Sequence, residues 1–574
     1  MRQLWNSIKL VMFCAATAMA LAACGGGGGS TPAATTISGV AAAGAPIIGS
    51  VTIKDSTTPT AQTKTVSIAA DGKYTVDVSG LKAPYMVRAD GYVGGNEYHL
   101  YSAGTSADVG GTINITPLTD LIVANIAKTV ASDYFTSGNF SSLTAAQLTT
   151  QSDAMAAKLQ PILAAVGVSG SIDLLRTSFS ADHKGLDAAL DVIRVNTDTA
   201  TNVATITNIV TQQTMTSDIT TGTYSGALTD ATGIATAATD IQMISAGFKQ
   251  FSDLFATGLP SDTNATLLGL FDSATFLSEG QNLADFLTQI TTDKSMIGIS
   301  FTNISIQSMD MTNGTAVVAI DVMQNGKAVN DGPKPFHVIK KADGKWYMQG
   351  DQYIAHVKVE SVAEYHVSDA VTPIITGLRF NIDDRGGKGI TSAVVTGAGL
   401  PSAGVTIINN IANHEFQIQG QNGGNLYSMA DTAIGGIADA GESYTVKLYI
   451  GTTLVATYTE QLKKRPYLKS ELTTASFPSI TSPTLAQLHA FTGGNATVSW
   501  TLPTGLTNDW LSAQIADNSG NSAMFEASLL PTDTGKSFTL NPVTSAGQSF
   551  TITQGGLWLG AWDGYGRELA TVMW

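Results

Sequence analysis

The sequence predicts a multidomain protein: a β-sandwich, a mostly helical segment, an α+β domain and then one or two further β-sandwiches. Three observations support this fold class. The chain has 574 residues, which is more than one hydrophobic core usually serves. Its hydrophobic period changes near residues 116, 236 and 371, between the alternation of strands and the wider spacing of helices. Glycine is abundant, with 58 residues, and charged residues make up 13%, which is typical of a turn-rich extracytoplasmic β protein.

The first 24 residues have the order of an export signal. Two basic residues, Arg2 and Lys9, precede a 12-residue apolar run, "LVMFCAATAMAL", that is shorter than the roughly 20 residues a membrane span needs. The next motif, "LAAC", resembles the bacterial lipobox. The resemblance implies a lipoprotein signal peptide over residues 1–23 and lipidation of Cys24. An ordinary secretory signal with an incidental cysteine is the alternative.

Five glycines follow Cys24, and residues 24–36 are interpreted as a flexible tether. Gly25 is not Asp, which by the same resemblance implies sorting to the bacterial outer membrane, with the protein facing the periplasm or the cell surface. The two cysteines, Cys14 and Cys24, are both used up by this processing. The mature protein is therefore expected to hold no disulfide and no cysteine metal site.

Residues 37–115 alternate apolar and polar positions, with turns at Asp71-Gly72 and Asp90-Gly91. "GVAAAGAPIIGSVTI" followed by "ADGKYTVDV" resembles a carboxypeptidase-regulatory-like (transthyretin-type) β-sandwich. In that family a proline-containing turn, here Pro46, precedes one strand and a D-G-x-Y turn opens another. The resemblance implies a stalk or adaptor module.

Residues 116–235 are predicted to be mostly helical. Thr116-Pro117 is a helix start followed by apolar residues on one side, and two more helical patterns come after it. One stretch, "NVATITNIVTQ", is interpreted as a strand.

Residues 236–368 place helices before three or four long strands, the last two being "KPFHVIKKADGKWYMQGDQ" and "HVKVESVAEYHV". This order resembles the cone-shaped fold of the nuclear-transport-factor and ketosteroid-isomerase superfamily. The resemblance implies a cavity between the helices and the sheet, in which some members use an Asp or His as general base.

The weak catalytic candidates in this cone-like domain are Asp351 and His337, with Asp321 as a further acid. Trp346 and Tyr353 are the candidate walls for a flat ligand. The alternative for Asp351 is a residue at a strand end that faces water.

No metal site and no cofactor are predicted. His337, His356 and His366 fall in the predicted cone-like sheet, with His337 and His356 on separate strands, and His183 is interpreted as a capping or surface residue. The loop "DDRGGKG" over residues 383–389 is interpreted as a solvated hairpin loop, with a calcium site as the alternative. The sequence also lacks the nucleophile-elbow, phosphate-loop, zincin and dinucleotide motifs.

Residues 371–464 and 466–574 are predicted to be two immunoglobulin-like β domains. In the second, "NATVSWTLPTGLTNDWLSAQIAD" resembles a fibronectin type III or immunoglobulin-like sandwich, with Trp500 as a core aromatic residue.

The 45 acidic residues outnumber the 30 basic ones, so the net charge of −15 argues against nucleic acid as a partner. The predicted function is a non-catalytic, lipid-anchored binding or scaffold protein of the cell envelope. One alternative is a small-ligand receptor or enzyme using the cone, and another is a surface adhesin. The expected partners are the membrane, through the lipid, and a protein, a polysaccharide or a small apolar ligand. Exposed aromatic rows on the terminal sandwiches favour the adhesin.

Overall fold

The computed structural model describes residues 35–329, 335–368, 370–410, 415–421, 424–439 and 441–574. Cys24, the predicted signal peptide and nearly all of the predicted tether lie outside these residues. Within the described part of the chain, no helix is long and apolar enough to cross a membrane. The predicted fold class is confirmed, because the chain forms several units that are mostly β-sandwich, with one helical part.

Two antiparallel sheets form the first sandwich. Its strands are β1 (Thr36–Val40), β2 (Ile48–Lys54), β3 (Thr63–Ser67), β4 (Lys73–Asp77), β5 (Tyr85–Val93) and β6 (Asn96–Gly104). Strand β1 pairs with β4, and the second sheet has the order β3-β2-β5-β6. Val51, Ile53 and Tyr74 are buried between the sheets, and the Tyr74 hydroxyl donates to the carbonyl of Ile113. Gly72 has φ 80° in the predicted turn, a conformation that favours glycine.

The next segment begins with four helices and ends in a small sheet. The helices are α1 (Pro117–Ala127), α2 (Ala131–Ser137), α3 (Ala145–Ala165) and α4 (Leu186–Val192), and the strands are β7 (Ile193–Asp198), β8 (Val203–Asn208), β9 (Thr214–Asp218) and β10 (Thr223–Ser225). Helix α1 starts where predicted, because the Thr116 hydroxyl accepts from the Thr119 backbone N–H and the Thr119 hydroxyl accepts from that of Thr116. The sequence predicts one strand in this segment, whereas the structure has a four-stranded antiparallel sheet. The other strands were missed because short, threonine-rich strands have a weak hydrophobic pattern.

The α+β unit packs helices against a five-stranded sheet. Its elements are α5 (Ile234–Phe255), α6 (Ala265–Leu268), α7 (Leu283–Thr292), β11 (Ile299–Asp310), β12 (Thr315–Gln324), β13 (Lys327–Val329), β14 (Phe336–Lys340) and β15 (Trp346–Gly350). The sheet order is β11-β12-β14-β15, with β13 beside β12. Phe248 and Phe251 of α5 contact Phe301 of β11, with ring centroids 5.9 and 4.9 Å apart.

One hydrophobic core continues from the helical segment into this unit. It includes Leu121 of α1, Ile206 of β8, Phe251 of α5 and Val318 of β12, all essentially buried. The helical and cone-like segments, which the sequence treats separately, are therefore joined by their packing.

The remaining chain forms three more sheets. Its elements are β16 (His356–His366), β17 (Ile374–Asp383), β18 (Ser392–Thr396), β19 (Val405–Asn410), β20 (Glu415–Ile418), β21 (Leu426–Ser428), α8 (Asp431–Ile434), β22 (Ser443–Ile450), β23 (Thr453–Gln461), β24 (Ser479–Ser482), α9 (Leu485–His489), β25 (Gly494–Thr501), β26 (Thr507–Ala516), β27 (Ser522–Ser528), β28 (Gly535–Leu540), β29 (Gln554–Trp562) and β30 (Glu568–Met573). The sheet orders are β21-β17-β16-β30-β29-β26-β27, β20-β19-β18-β22-β23 and β24-β25-β28.

Strand β16 corrects one sequence-based assignment. The sequence placed "HVKVESVAEYHV" in the cone-like sheet, but β16 pairs with β17 on one side and, in parallel, with β30 on the other. Positive φ angles at Gly350 and Gln352 turn the chain away after β15. Alternation along a strand shows which residues share a face, but it does not identify the strand's neighbours.

The seven-stranded sheet has one buried and one open face. Leu378 and Phe380 of β17 face a core shared with the five-stranded sheet β20-β19-β18-β22-β23. Leu557 and Leu559 of β29 face a second core, where the predicted core residue Trp500 is 2% exposed. The two terminal sandwiches thus share one sheet, and its opposite face remains open.

Candidate binding groove

The open face of the seven-stranded sheet is the floor of a groove of about 1680 Å³. We call that face, together with its walls, the groove. The floor comes from β16, β17, β26, β27, β29 and β30, and Lys294 and Phe416 lie in the walls. The groove therefore depends on strands more than 200 residues apart in sequence, from β16 to β30.

Strand β29 presents glycine and tryptophan alternately to the groove. Its sequence "QGGLWLGAW" places Gly556, Trp558, Gly560 and Trp562 on the open face, because successive side chains point to opposite sides of a strand. Leu557 faces the core instead. The open face of β29 thus has two large rings separated by two positions without side chains.

Two further tryptophans occupy those positions. A Cβ placed on Gly556 would lie 1.9 Å from Cε3 of Trp574, and one placed on Gly560 would lie 2.6 Å from Nε1 of Trp510. Along β29 the order of rings is therefore Trp574, Trp558, Trp510 and Trp562, which we call the tryptophan row. The span from position 556 to 562 is about 20 Å at the usual rise of a strand.

All four rings of the tryptophan row are partly exposed. Trp574 is 37% exposed, and its ring centroid is 5.1 Å from that of Trp558. Trp510, Trp558 and Trp562 line the groove, and Trp574 continues the row at one end beside Trp558.

A β-bulge places Trp510 in the row. The pairing of β26 with β29 shifts between Asn508 and Leu511, so Asp509 and Trp510 fall in an irregular part of the strand. Bulges of this kind redirect side chains and are frequent beside functional sites. Both residues line the groove.

Next to the row lies a group of acidic side chains around one arginine. Arg379 of β17 donates to Glu568 of β30 and, over 2.9 Å, to Oε1 of Glu364 of β16. The Arg379 side chain is 12% exposed, and that of Glu568 is 1% exposed. Oε1 of Glu568 is buried without a hydrogen-bond partner in the described part of the chain.

A second ion pair connects this group to the row. Lys358 Nζ lies 2.6 Å from Oε1 of Glu360 and 4.9 Å from the centre of the Trp562 ring. Asn381 Nδ2 donates to Oε2 of Glu360 over 2.6 Å. The floor therefore has carboxylate, ammonium, guanidinium and amide groups within reach of an aromatic platform.

The carboxyl groups titrate differently from free side chains. Burial raises the pKa of Asp509 to about 7, with the charge of Glu568 acting in the same direction. Burial also raises the pKa of Glu568, and the guanidinium of Arg379 offsets only part of the rise. These shifts follow from acids crowded into a poorly solvated surface.

Asp351, the first candidate base, is 6% exposed. Its Oδ1 accepts hydrogen bonds from the backbone N–H groups of Glu279 and Tyr353, each over 2.9 Å. The carboxylate therefore holds together the turn after β15 and the segment near Glu279. Its catalytic role stays a prediction.

The other cone candidates do not converge with Asp351 on a described cavity. Tyr353 stacks on Tyr458 at 3.9 Å between ring centroids, and Trp346 packs against the shared core with its indole N–H buried and without a hydrogen-bond partner among the described residues. His337 lies on β14, where burial lowers its pKa. Asp321 accepts from the backbone N–H of Gly95 over 2.8 Å and so connects the cone-like unit to the first sandwich.

His356 and His366, the other two histidines of the predicted cone-like sheet, are paired with acids. His356 Nδ1 lies 2.8 Å from Glu279 Oε1, and His366 Nε2 lies 2.9 Å from Glu364 Oε2. In the loop over residues 383–389, Asp384 accepts from three backbone N–H groups of its own loop, as a hairpin loop does. These two histidines and Asp384 therefore all have partners within the protein that account for their positions.

The groove was not predicted, although the sequence contains a signal for it. The Gly-x-Trp-x-Gly-x-Trp period over residues 556–562 predicts one strand face with alternating gaps and rings. The signal is incomplete, because only the tertiary structure brings Trp510 and Trp574 into the gaps.

No protein-family model matches this sequence, and no curated protein matches it. Among solved structures, a two-domain fibronectin type III segment from chicken tenascin is 12% identical, with 38% of this chain and 96% of that one covered, at a TM-score of 0.12. The FN1–FN3 domains of chicken CNTN1 are 8% identical, with 47% and 97% covered, at 0.13. A tetra-tandem repeat from the extending region of a large adhesion protein is 10% identical, with 94% and 98% covered, at 0.12. Scores this low do not indicate a shared fold or function.

Proposed function

We propose that this chain is a lipid-anchored protein of the outer membrane that binds a polysaccharide along the groove. The tryptophan row is the observation that carries the proposal. The proposal combines the predicted binding function with the predicted adhesin alternative. An aromatic row on the terminal sandwiches is the feature that distinguishes the adhesin. The lipid on Cys24 would hold the groove near the membrane.

Indole rings suit the apolar faces of sugar rings. The negative π-face of an aromatic ring attracts positively polarised C–H groups, which pyranose rings present on one side. Four rings along about 20 Å of β29 fit an extended chain better than a single small molecule.

The polar groups beside the row suit hydroxyl groups. Lys358, Glu360 and Asn381 form a hydrogen-bonded set on the floor, and a sugar hydroxyl both donates and accepts. The acidic surroundings disfavour nucleic acid, whose phosphates would meet Asp509 and Glu568. The open and polar character of the groove also disfavours a small apolar ligand, which prefers an enclosed apolar pocket.

The cone-like unit offers less support for the small-ligand alternative. Its phenylalanines fill the space between α5 and the sheet, as the contacts of Phe248 and Phe251 with Phe301 illustrate. The groove is therefore the better-supported binding surface.

The test is affinity electrophoresis of the purified protein through gels that contain soluble polysaccharides, followed by titration calorimetry with any that retard it. Trp558→Ala and Trp562→Ala should each weaken binding by about 1–2 kcal/mol, which is roughly five- to thirty-fold in Kd. Trp346→Ala is the matched control, because this tryptophan lies in the cone-like unit.

The pattern of retardation among the variants shows whether the polysaccharide binds in the groove or in the cone-like unit. Loss of retardation in the groove variants with retention in Trp346→Ala supports the proposal. Retention in all groove variants, or loss in Trp346→Ala alone, overturns it and returns the binding site to the cone.

A further inference from the structure

We infer that His183, Asp187 and Asp191 form a structural binding site for a divalent transition-metal ion, with Zn²⁺ as the best-fitting ion. One ligand atom from each of the three side chains lies within 4.8 Å of the others. This cluster lies outside the groove and has no part in the proposed polysaccharide binding.

The local fold brings these side chains together. Asp187 and Asp191 are four residues apart on α4, so they share one helix face. His183 precedes α4 with φ 59°, a left-handed conformation that places it beside that face. Its backbone N–H donates to Oδ2 of Asp187 over 2.7 Å, and its Nδ1 lies 3.0 Å from Oδ2 of Asp191.

Two buried oxygens have no partner. Asp187 and Asp191 are both 0% exposed, and in the described part of the chain neither Oδ1 makes a hydrogen bond. A buried, unsatisfied carboxylate oxygen is costly. Gly44 leaves room beside one of them, since a Cβ there would lie 3.5 Å from Oδ1 of Asp191.

The cluster is also short of positive charge. The nearby guanidinium of Arg194 donates its Nη1 hydrogens to the carbonyls of Leu190, Asp191 and Ile193 instead of to a carboxylate. In the described part of the chain, His183 is the one residue whose cationic side chain hydrogen-bonds to either of these two buried carboxylates. A dication neutralises both acids at once.

The second ring nitrogen of His183 already has the partner that a metal ligand needs. Its Nε2 lies 3.0 Å from Oγ of Ser245 on α5. A histidine bound to metal through one nitrogen commonly donates the other N–H to an oxygen, which fixes the ring. Binding through Nδ1 would replace the hydrogen bond to Asp191 and leave the one to Ser245 in place.

The ligand set selects the kind of ion. One imidazole and two carboxylates suit Zn²⁺ or a similar ion, whereas Ca²⁺ takes six to eight oxygens. At metal–ligand bonds of about 2.0–2.2 Å, two ligand atoms of a tetrahedral ion lie roughly 3.3–3.6 Å apart, so the most separated side chains must close in by up to about 1.5 Å. Because both aspartates are fully buried, the site suits a structural ion that holds His183 against α4.

The experiment is metal analysis of the full-length protein after exposure to ZnCl₂ and exhaustive dialysis, with the thermal midpoint Tm measured with and without ZnCl₂. Wild type should retain about one zinc per chain and gain Tm. The paired Asp187→Asn and Asp191→Asn variant should fold, retain less than roughly a tenth of that zinc and show no Tm gain. Asp153→Asn, an exposed position on α3, is the matched control and should behave as wild type.

X-ray absorption on zinc-loaded wild type supplies a readout that needs no variant. It should show one imidazole nitrogen among light-atom ligands. Folded wild type that retains no zinc, or a paired variant that retains as much zinc as wild type, overturns the inference. A spectrum with no imidazole ligand also overturns it.

Discussion

Trp574 lies where a side chain at Gly556 would stand, with Cε3 only 1.9 Å from the position of the missing Cβ. Gly556 lies on β29, and Trp574 is the residue that follows the neighbouring strand β30. Only a residue without a side chain at position 556 leaves space for the Trp574 ring. This pair therefore sets one end of the tryptophan row.

Gly556→Ala should therefore displace Trp574 and disturb Trp558 beside it. We expect a loss of about 1–3 kcal/mol in the free energy of unfolding, the usual cost of overpacking, together with weaker polysaccharide binding. Urea unfolding followed by tryptophan fluorescence measures the first effect. Gly564→Ala is the control, because a Cβ at Gly564 meets no atom within 4 Å. Equal stability of the two variants would contradict this account of the row.

Arg379→Met should be strongly destabilising. The substitution leaves the carboxylates of Glu568 and Glu364 buried without their shared cation. Breaking a buried ion pair in this way costs about 3–5 kcal/mol. Lys64→Met removes the exposed pair with Asp77 and should leave the free energy of unfolding nearly unchanged. Denaturant titration of both variants measures the free energy of unfolding. Similar decreases in the two variants would show that Arg379 does not stabilise buried carboxylates.

The stability of the protein should fall as pH rises from about 4 to 7. Burial raises the pKa of Asp509 to about 7, above its ordinary 3.8, so across this window the folded state binds a proton that the unfolded chain releases. The raised pKa of Asp120, also about 7 and due to burial, acts with the same sign. Asp509→Asn should reduce the slope of unfolding free energy against pH, measured by urea titration at several pH values. An unchanged slope would show that Asp509 titrates normally.

A fragment of residues 236–368 should not fold alone, contrary to the sequence-based expectation of an independent cone-like domain. It lacks Leu121 and Ile206 of the shared core, and it carries β16 without its partners β17 and β30. A fragment of residues 35–352 keeps the core intact and should fold. Circular dichroism and thermal melts distinguish the two, and cooperative melting of the shorter fragment would restore the original expectation.

Cys24→Ser should release the protein from membranes and abolish labelling with a radioactive fatty acid. The reason is that the lipobox-like "LAAC" makes Cys24 the expected site of lipidation, and firm anchoring needs two or more acyl chains. Fractionation of cells that express each form measures the effect. If the serine variant still sediments with membranes, the predicted anchor is wrong.

The sequence by itself determined the class of fold and many local elements. Thr116-Pro117 starts a helix because the threonine caps the first turn, and Trp500 is buried because it alternates with polar neighbours on a strand. Such features depend on residues close together in the chain, so a local pattern records them.

Only the tertiary structure decided which strands pair and which side chains meet. Strand β16 was predicted as a strand but was assigned to the wrong sheet, because alternation does not name a partner. The tryptophan row needs Trp510 and Trp574 beside β29, and the carboxylate group needs Glu364 and Glu568 around Arg379, all of which are long-range contacts. The sequence pattern predicts a capping or surface role for His183, but its side chain is 16% exposed and lies against two buried aspartates. Burial of a charged group depends on what packs above it, and that is set by the folded chain as a whole.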